Sequence, residues 1–207
     1  NLSKEFYFDL NKNPSLEAQI ASISDDIAYI AHDFDDGIRS EILNLKILSK
    51  NNNLFDFIDF DYLLSLDNKV ARNYFTRQII NYLVLNLIKE TEYKLSNSNV
   101  KTYEDIINSN EFYVGFSDNI KEKVTLMKSY LYEHFYTSDF VYNGRTHAEK
   151  ILVFIIDFLK ENISELPSSW KRKITNEQSK KQTIVDYVCG MTDQYAINFY
   201  KNYASKH

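Results

Sequence analysis

Leu16, Ile20, Ile23, Ile27, Ile30, Phe34, Ile38, Ile42 and Leu45 recur at steps of three and four. That is the spacing of one apolar helix face. Pro14 and Ser15, with Glu17 and Gln19 close behind, read as its start. The pattern predicts a helix running to about residue 49, bent near Gly37. Ser49 to Asn53 reads as a loop, and Leu54 to Leu66 as a short helix and turn. Asp67 is placed to cap a long helix carrying Val70, Tyr74, Phe75, Ile79, Leu83, Leu87 and Ile88. Ser96 to Val100 reads as another loop. Thr102, with Asp105 three residues on, predicts a short capped helix to about Ser109. Ser117 or Asp118 opens a helix through Val124, Met127, Leu131 and Phe135. Thr146 is placed to cap a very apolar stretch, Ile151 to Ile163, expected to be buried on several sides; Pro167 ends that region. A final helix is expected from about Gln182 through Val185, Val188, Met191, Tyr195, Phe199 and Tyr203. With no period-2 strand pattern and no internal repeat, the expected class is all-α.

Composition agrees with that class. The 207 residues hold Pro 2 and Gly 4, too few breakers for a many-turned β fold. Apolar residues are 44% of the chain, with Tyr 16 and Phe 14, enough for a core. Those aromatics are expected mostly in the core, with a share for a subunit interface. The net charge of -5 is spread along the chain and supplies no basic stripe for nucleic acid. One cysteine, Cys189, excludes an internal disulfide framework and reads as a packed core thiol. No apolar run has membrane-span length and no leader opens the chain, so a soluble cytoplasmic protein is expected. Four glycines leave no room for a Gly-rich phosphate loop, which argues against a kinase or P-loop enzyme. The chain opens on Asn1 rather than Met, so a segment upstream is expected.

Chemistry concentrates in SDDIAYIAHDFDDG, residues 24 to 37. Asp25, Tyr29, Asp33 and Asp36 share one helix face, because each step of four advances about 40° beyond a full turn. His32 lies near it, and Ala18, Ala21 and Ser22 keep the rest of the face small. Carboxylates can bind a metal, and a phenol with a carboxylate can grip hydroxyls. A plain solvated acidic face fits the same pattern, and periodicity leaves the two open.

The stretch Ser15 to Ala21, then Asp25-Asp26-Ile27-Ala28-Tyr29, then His32 to Gly37, resembles bacterial deoxyguanosinetriphosphate triphosphohydrolase-like proteins of the HD-domain superfamily. Arg77 to Leu83, Met127 to Tyr132 with Phe135-Tyr136, and Val185 to Ala196 are similar to further segments of that family, in the same order. The resemblance implies that Asp25 is the distal aspartate ligand of a divalent metal, Mg²⁺, Mn²⁺ or similar. It implies that Tyr29 and Asp33 contact the deoxyribose. The implied reaction takes a deoxynucleoside triphosphate and water to a deoxynucleoside and triphosphate. Residues 1–49 would then close the HD catalytic core, and residues 50–207 would form a phosphohydrolase-associated region of long antiparallel helices. A homo-oligomer is implied as well.

The family's first His and metal-binding His-Asp doublet belong upstream of Asp25, and no His precedes it here. His32-Asp33 lies inside the distal motif and is not that doublet. The chain therefore reads as the C-terminal portion of a longer enzyme, expected to be inactive alone and not to hold the metal by itself. Two alternatives stand beside this: a non-catalytic helical regulatory or oligomerisation module, and another HD-type nucleotide phosphohydrolase. Arg72, Arg77, Lys128 and Arg145 are candidate phosphate contacts. Lys171, Arg172, Lys173, Lys180 and Lys181 read as a solvated basic loop, Arg39 as a helix-end charge and Asp193 as a buried polar anchor.

Overall fold

The computed structural model describes residues 11–51 and 53–204, and among these residues there is no strand. The chain divides into two compact units, residues 1–138 and 139–207. The boundary implied at residue 49 falls inside the first unit, where the first helix shares its core with the helices that follow it.

In the first unit, α1 (Leu16–Arg39) starts where Pro14 and Ser15 predict, with the Ser15 side chain accepting from the Ala18 N–H. Its isoleucine stripe is the buried face from Ile27 onward, where Ile27, Ile30, Ala31 and Phe34 are in the core; Ile23 is half-buried and Ile20, near the start, is exposed. The helix does not continue to residue 49. Glu41 takes a left-handed backbone (φ 62°), and the Leu43 N–H returns to the Gly37 carbonyl at 2.8 Å. Leu43 then lies so close over Gly37 that a Cβ there would meet its Cδ1 at 2.5 Å. Gly37 is thus the seat of a turned-back chain, not a bend. The apolar spacing hid this end, because Ile38, Ile42 and Leu45 keep helical steps through the turn.

Short helices α2 (Leu45–Leu48) and α3 (Phe60–Leu64) follow. The long α4 (Asn68–Ser96) begins after Asp67 as expected, although the Asp67 side chain makes no capping bond. The end of α1 lies beside the start of α4: Phe34 meets Phe75 edge-to-face at 5.8 Å, and Phe55 closes the cluster at 5.4 and 5.2 Å. Such geometry suits the ring quadrupoles and adds to what burial alone contributes. Helix α5 (Tyr103–Ile107) carries the predicted capping box between Thr102 and Asp105. Helix α6 (Asp118–Leu131) runs into a π-helical turn, Tyr132–Tyr136.

The second unit begins with α7 (Asp139–Glu161). Thr146 does not cap it: this residue lies inside, its hydroxyl donating to the Tyr142 carbonyl at 3.0 Å. Nor is the apolar stretch buried on all sides. Ile151, Ile155, Phe158 and Leu159 are covered, while Leu152 and Val153 are exposed. The last predicted helix is two: α9 (Glu177–Cys189) and α10 (Asp193–Ala204), after a short α8 (Ser168–Lys171). Gly190 ends α9. Thr192 then starts α10, its hydroxyl accepting from the Tyr195 N–H at 3.3 Å. The apolar spacing from Val185 to Phe199 runs through this break and concealed it. Cys189 is exposed rather than a core thiol. Asp193 is an exposed residue of the first turn of α10, where a negative charge suits the helix dipole, not a buried anchor. Many aromatics form the two cores, but Tyr29, Tyr93, Phe112, Tyr132 and Phe140 are among those that stay exposed.

Candidate functional site

Helix α1 is oriented by both ends of its unit. At its start, Gln19 is 3% exposed. Its Oε1 accepts from the Tyr113 and Val114 N–H groups, both at 3.1 Å, and its Nε2 donates to the Pro14 carbonyl at 2.9 Å. At its end, the phenylalanine cluster and the Leu43 turn hold it against α4. From Ile27 on, the isoleucine face is therefore committed inward, and the opposite face is presented outward.

On that outward face Ala18, Ala21, Ser22 and Asp25 are exposed, and Tyr29 is 62% exposed. Asp33 is half-buried and accepts a hydrogen bond on Oδ2 from the Tyr136 hydroxyl. Burial, and then the Asp33 carboxylate, push the Tyr136 phenol above its ordinary value, with a smaller push from Tyr29. Tyr29, Asp33 and Tyr136 are thus electrical neighbours. The structure brings Asp25, Tyr29 and Asp33 onto one open face, as the spacing requires; His32 is exposed beside it.

The face is not uniformly solvated acid. Four of the five aspartates in the stretch are engaged within the unit. Asp26 pairs with Lys128 at 2.9 Å, Asp36 with Arg39 at 2.5 Å, and Asp33 with Tyr136. Asp35 turns to α4, with Arg72 Nε at 3.0 Å and the Thr76 hydroxyl donating at 3.1 Å. Arg72 Nε is not aimed for a hydrogen bond, so that pair is an ionic contact and Thr76 supplies the directed bond. Asp25 alone has no hydrogen-bond or ionic partner among the described residues. Among those residues, no group of three or more His, Cys, Asp or Glu could hold a metal ion. One exposed carboxylate fits a single ligand of a composite site; it does not make a transition-metal site.

The phosphate candidates separate by the same test. Arg72 and Lys128 are spent on Asp35 and Asp26. Arg77 and Arg145 are exposed. The predicted basic loop is only partly one: Lys171 ends α8, and Lys180 and Lys181 lie in α9. Lys173 lies 3.9 Å over the Trp170 ring and Lys171 donates to the Ser164 carbonyl, both local uses of the charge. The periodic reading missed Tyr136 and Gln19 as partners. Each acts across about a hundred positions of sequence, where no spacing rule reaches; only their place inside family-like segments marked them.

Residues 114–202 match the phosphohydrolase-associated domain family. A deoxyguanosinetriphosphate triphosphohydrolase-like protein of Brucella anthropi is 32% identical over 202 residues, covering 95% of this chain and 50% of its own length. Proteins of the same description match from Brucella suis, at 31% over 202 residues, and from Rickettsia canadensis, at 30% over 207 residues. The chain is a homologue of these phosphohydrolase-type proteins. It spans about half the length of the curated relatives it matches. The associated-domain match covers α6 onward and excludes α1. Matches covering 95% of the chain take in α1 and its open face. No helix among the described residues is long and apolar enough to cross a membrane.

Proposed function

We propose that the outward face of α1 is one wall of a deoxynucleoside triphosphate triphosphohydrolase site. The observation that carries this is the sorting of the aspartates. Four are tied down inside the unit, and Asp25 is left open on the same face as Tyr29 and Asp33. In this reading Tyr29 and Asp33 hold the deoxyribose, the phenol and the carboxylate binding its hydroxyl. About 12 Å of helix axis separates Asp25 from Asp33, the scale of a nucleotide from sugar hydroxyl to phosphate chain. Asp25 contributes one ligand to a divalent metal such as Mg²⁺ or Mn²⁺, whose role when bound is to neutralise phosphate charge. The other ligands come from polypeptide outside the described residues, since these do not assemble a metal site. The reaction adds water oxygen to the α-phosphorus and breaks its bond to the 5′-oxygen, which leaves with a proton as deoxynucleoside. A cytoplasmic location and self-association belong to the same proposal.

The test is release of inorganic triphosphate from each of the four dNTPs with Mn²⁺ or Mg²⁺. It uses the longest product of the gene that contains this chain, with the 207-residue chain alongside. The longer product is expected to turn over at least one dNTP, and Asp25→Asn to lower kcat/KM at least about a hundredfold, in line with loss of a metal ligand. The shorter chain is expected to show no turnover. Wild-type turnover by Asp25→Asn, or metal-dependent turnover by the 207-residue chain alone, overturns the assignment. Asp25→Asn is expected to leave stability within about 0.5 kcal/mol, as for an exposed residue without partners.

A further inference from the structure

We propose that Tyr136 is the positioning residue for Asp33, and through it sets how strongly the site discriminates for a sugar 3′-hydroxyl. The proposal rests on the reading of Asp33 as a sugar contact. Tyr136 donates to one carboxylate oxygen, Oδ2, and the other, Oδ1, has no hydrogen-bond partner among the described residues. A carboxylate accepts through both oxygens. One held by a half-buried phenol and one left open is the arrangement for receiving a single substrate hydroxyl in a fixed direction. Without the phenol, the carboxylate is free to rotate, and ordering it is charged to substrate binding.

The fold builds this contact from two elements. Tyr136 is the last residue of the π-helical turn that succeeds α6. The wider turn, closed by Thr137 N–H donating to the Tyr132 carbonyl at 3.3 Å, shifts the residues after it off the α-helical register. The preceding helix is tied to the same face by Lys128 and Asp26 at 2.9 Å. On α1, Asp26 and Asp33 stand two turns apart with Tyr29 between them. The end of α6 therefore braces the open face at two points, one ionic and one hydrogen-bonded, and only the second touches a residue of the proposed sugar site. A phenol is a donor at neutral pH, and burial, then the Asp33 carboxylate, push its ionisation further above the ordinary value of 10.0.

The experiment compares kcat and KM for dNTPs and the matching 2′,3′-dideoxynucleotides in the longer gene product, as wild type, Asp33→Asn and Tyr136→Phe. Thermal midpoints are measured beside them. Wild type is expected to favour the deoxy substrate. Asp33→Asn should abolish that preference, and Tyr136→Phe should cut it about five- to twentyfold, mainly through KM, with kcat kept within about threefold. A p-aminophenylalanine at position 136, which keeps a ring and an N–H donor in place, should restore the preference to within about twofold of wild type. It also serves if Tyr136→Phe fails to fold. A wild-type preference in Tyr136→Phe, or a lost preference in the amino variant, overturns the positioning role while leaving Asp33 in place. A wild-type preference in Asp33→Asn overturns the sugar reading itself.

Discussion

Gln19→Met tests what aims the open face. Met is nearly isosteric with Gln but has no amide, so little cavity is created, and the loss is confined to hydrogen bonds. Gln19 Oε1 is the acceptor for two backbone N–H groups, of Tyr113 and Val114, each at 3.1 Å and buried. Leaving a buried donor unpaired costs about 1–3 kcal/mol. The Pro14 carbonyl, which receives Nε2 at 2.9 Å, is only part-buried and can turn to water. Two orphaned donors thus give about 2–6 kcal/mol of destabilisation, a large share of a domain's typical stability. With two compact units in the chain, a single melting curve mixes two processes. The direct assay is amide hydrogen exchange. The Tyr113 and Val114 amides should be protected in wild type and exchange about thirtyfold faster or more in Gln19→Met, while amides of α7 and α9 in the other unit stay unchanged. Exchange of Tyr113 and Val114 within about twofold of wild type would show that Gln19 is not the clamp at the start of α1. The same variant should leave the Tyr136–Asp33 contact at the far end of α1 in place.

Gly37→Ala should cost about 1–2 kcal/mol, as overpacking against Leu43 outweighs the helix-propensity gain. In a Leu43→Ala background the same change should be neutral or stabilising, and equal cost in both backgrounds refutes the close approach as the cause. Tyr136 and Tyr187 both titrate above the ordinary tyrosine value of 10.0, each through burial first and then a neighbour, Asp33 or the Tyr195 hydroxyl at 2.9 Å. A raised folded-state pKa contributes stability that is complete below pH 10 and lost as pH climbs through the folded values. Thermal midpoints should therefore fall above pH 10, less steeply in a Tyr136→Phe, Tyr187→Phe double variant; superimposed profiles refute this. The Asp105 carboxylate is held low by the Lys101 and Thr102 N–H groups. Its contribution is present above pH 3.8 and lost as pH falls through its lower folded value. Amide shifts of Lys101 and Thr102 should titrate together with a midpoint below 3.8, and a midpoint at or above it removes the cap from the account.

Much of this molecule was legible without coordinates, because helix-making is local. The buried stripe of α1, the Ser15 start and the Thr102–Asp105 box depend on residues three or four positions apart, and repeating side-chain spacing reports them directly. So does the face shared by Asp25, Tyr29 and Asp33. The resemblance to triphosphohydrolase-like proteins was carried by the same stretch. Helix ends were less legible. Apolar spacing ran on through the turn at Glu41 and the break at Gly190, because a residue packing into the core after a turn looks, in sequence, like one more step of helix.

Tertiary structure decided which of the acids other than Asp36 are available. Nothing local distinguishes Asp25 from Asp26, Asp33 or Asp35; Asp36 alone has a partner within its own helix, Arg39 three residues on. The fates of Asp26, Asp33 and Asp35 depend on Lys128, Tyr136, Arg72 and Thr76, delivered by helices α4 and α6 and the turn after α6. A carboxylate's chemistry is set by what shares its few ångströms of space, and long-range packing chooses those neighbours. Local pattern placed five aspartates on one helix and paired Asp36 with Arg39; the fold tied down three more and left Asp25 open.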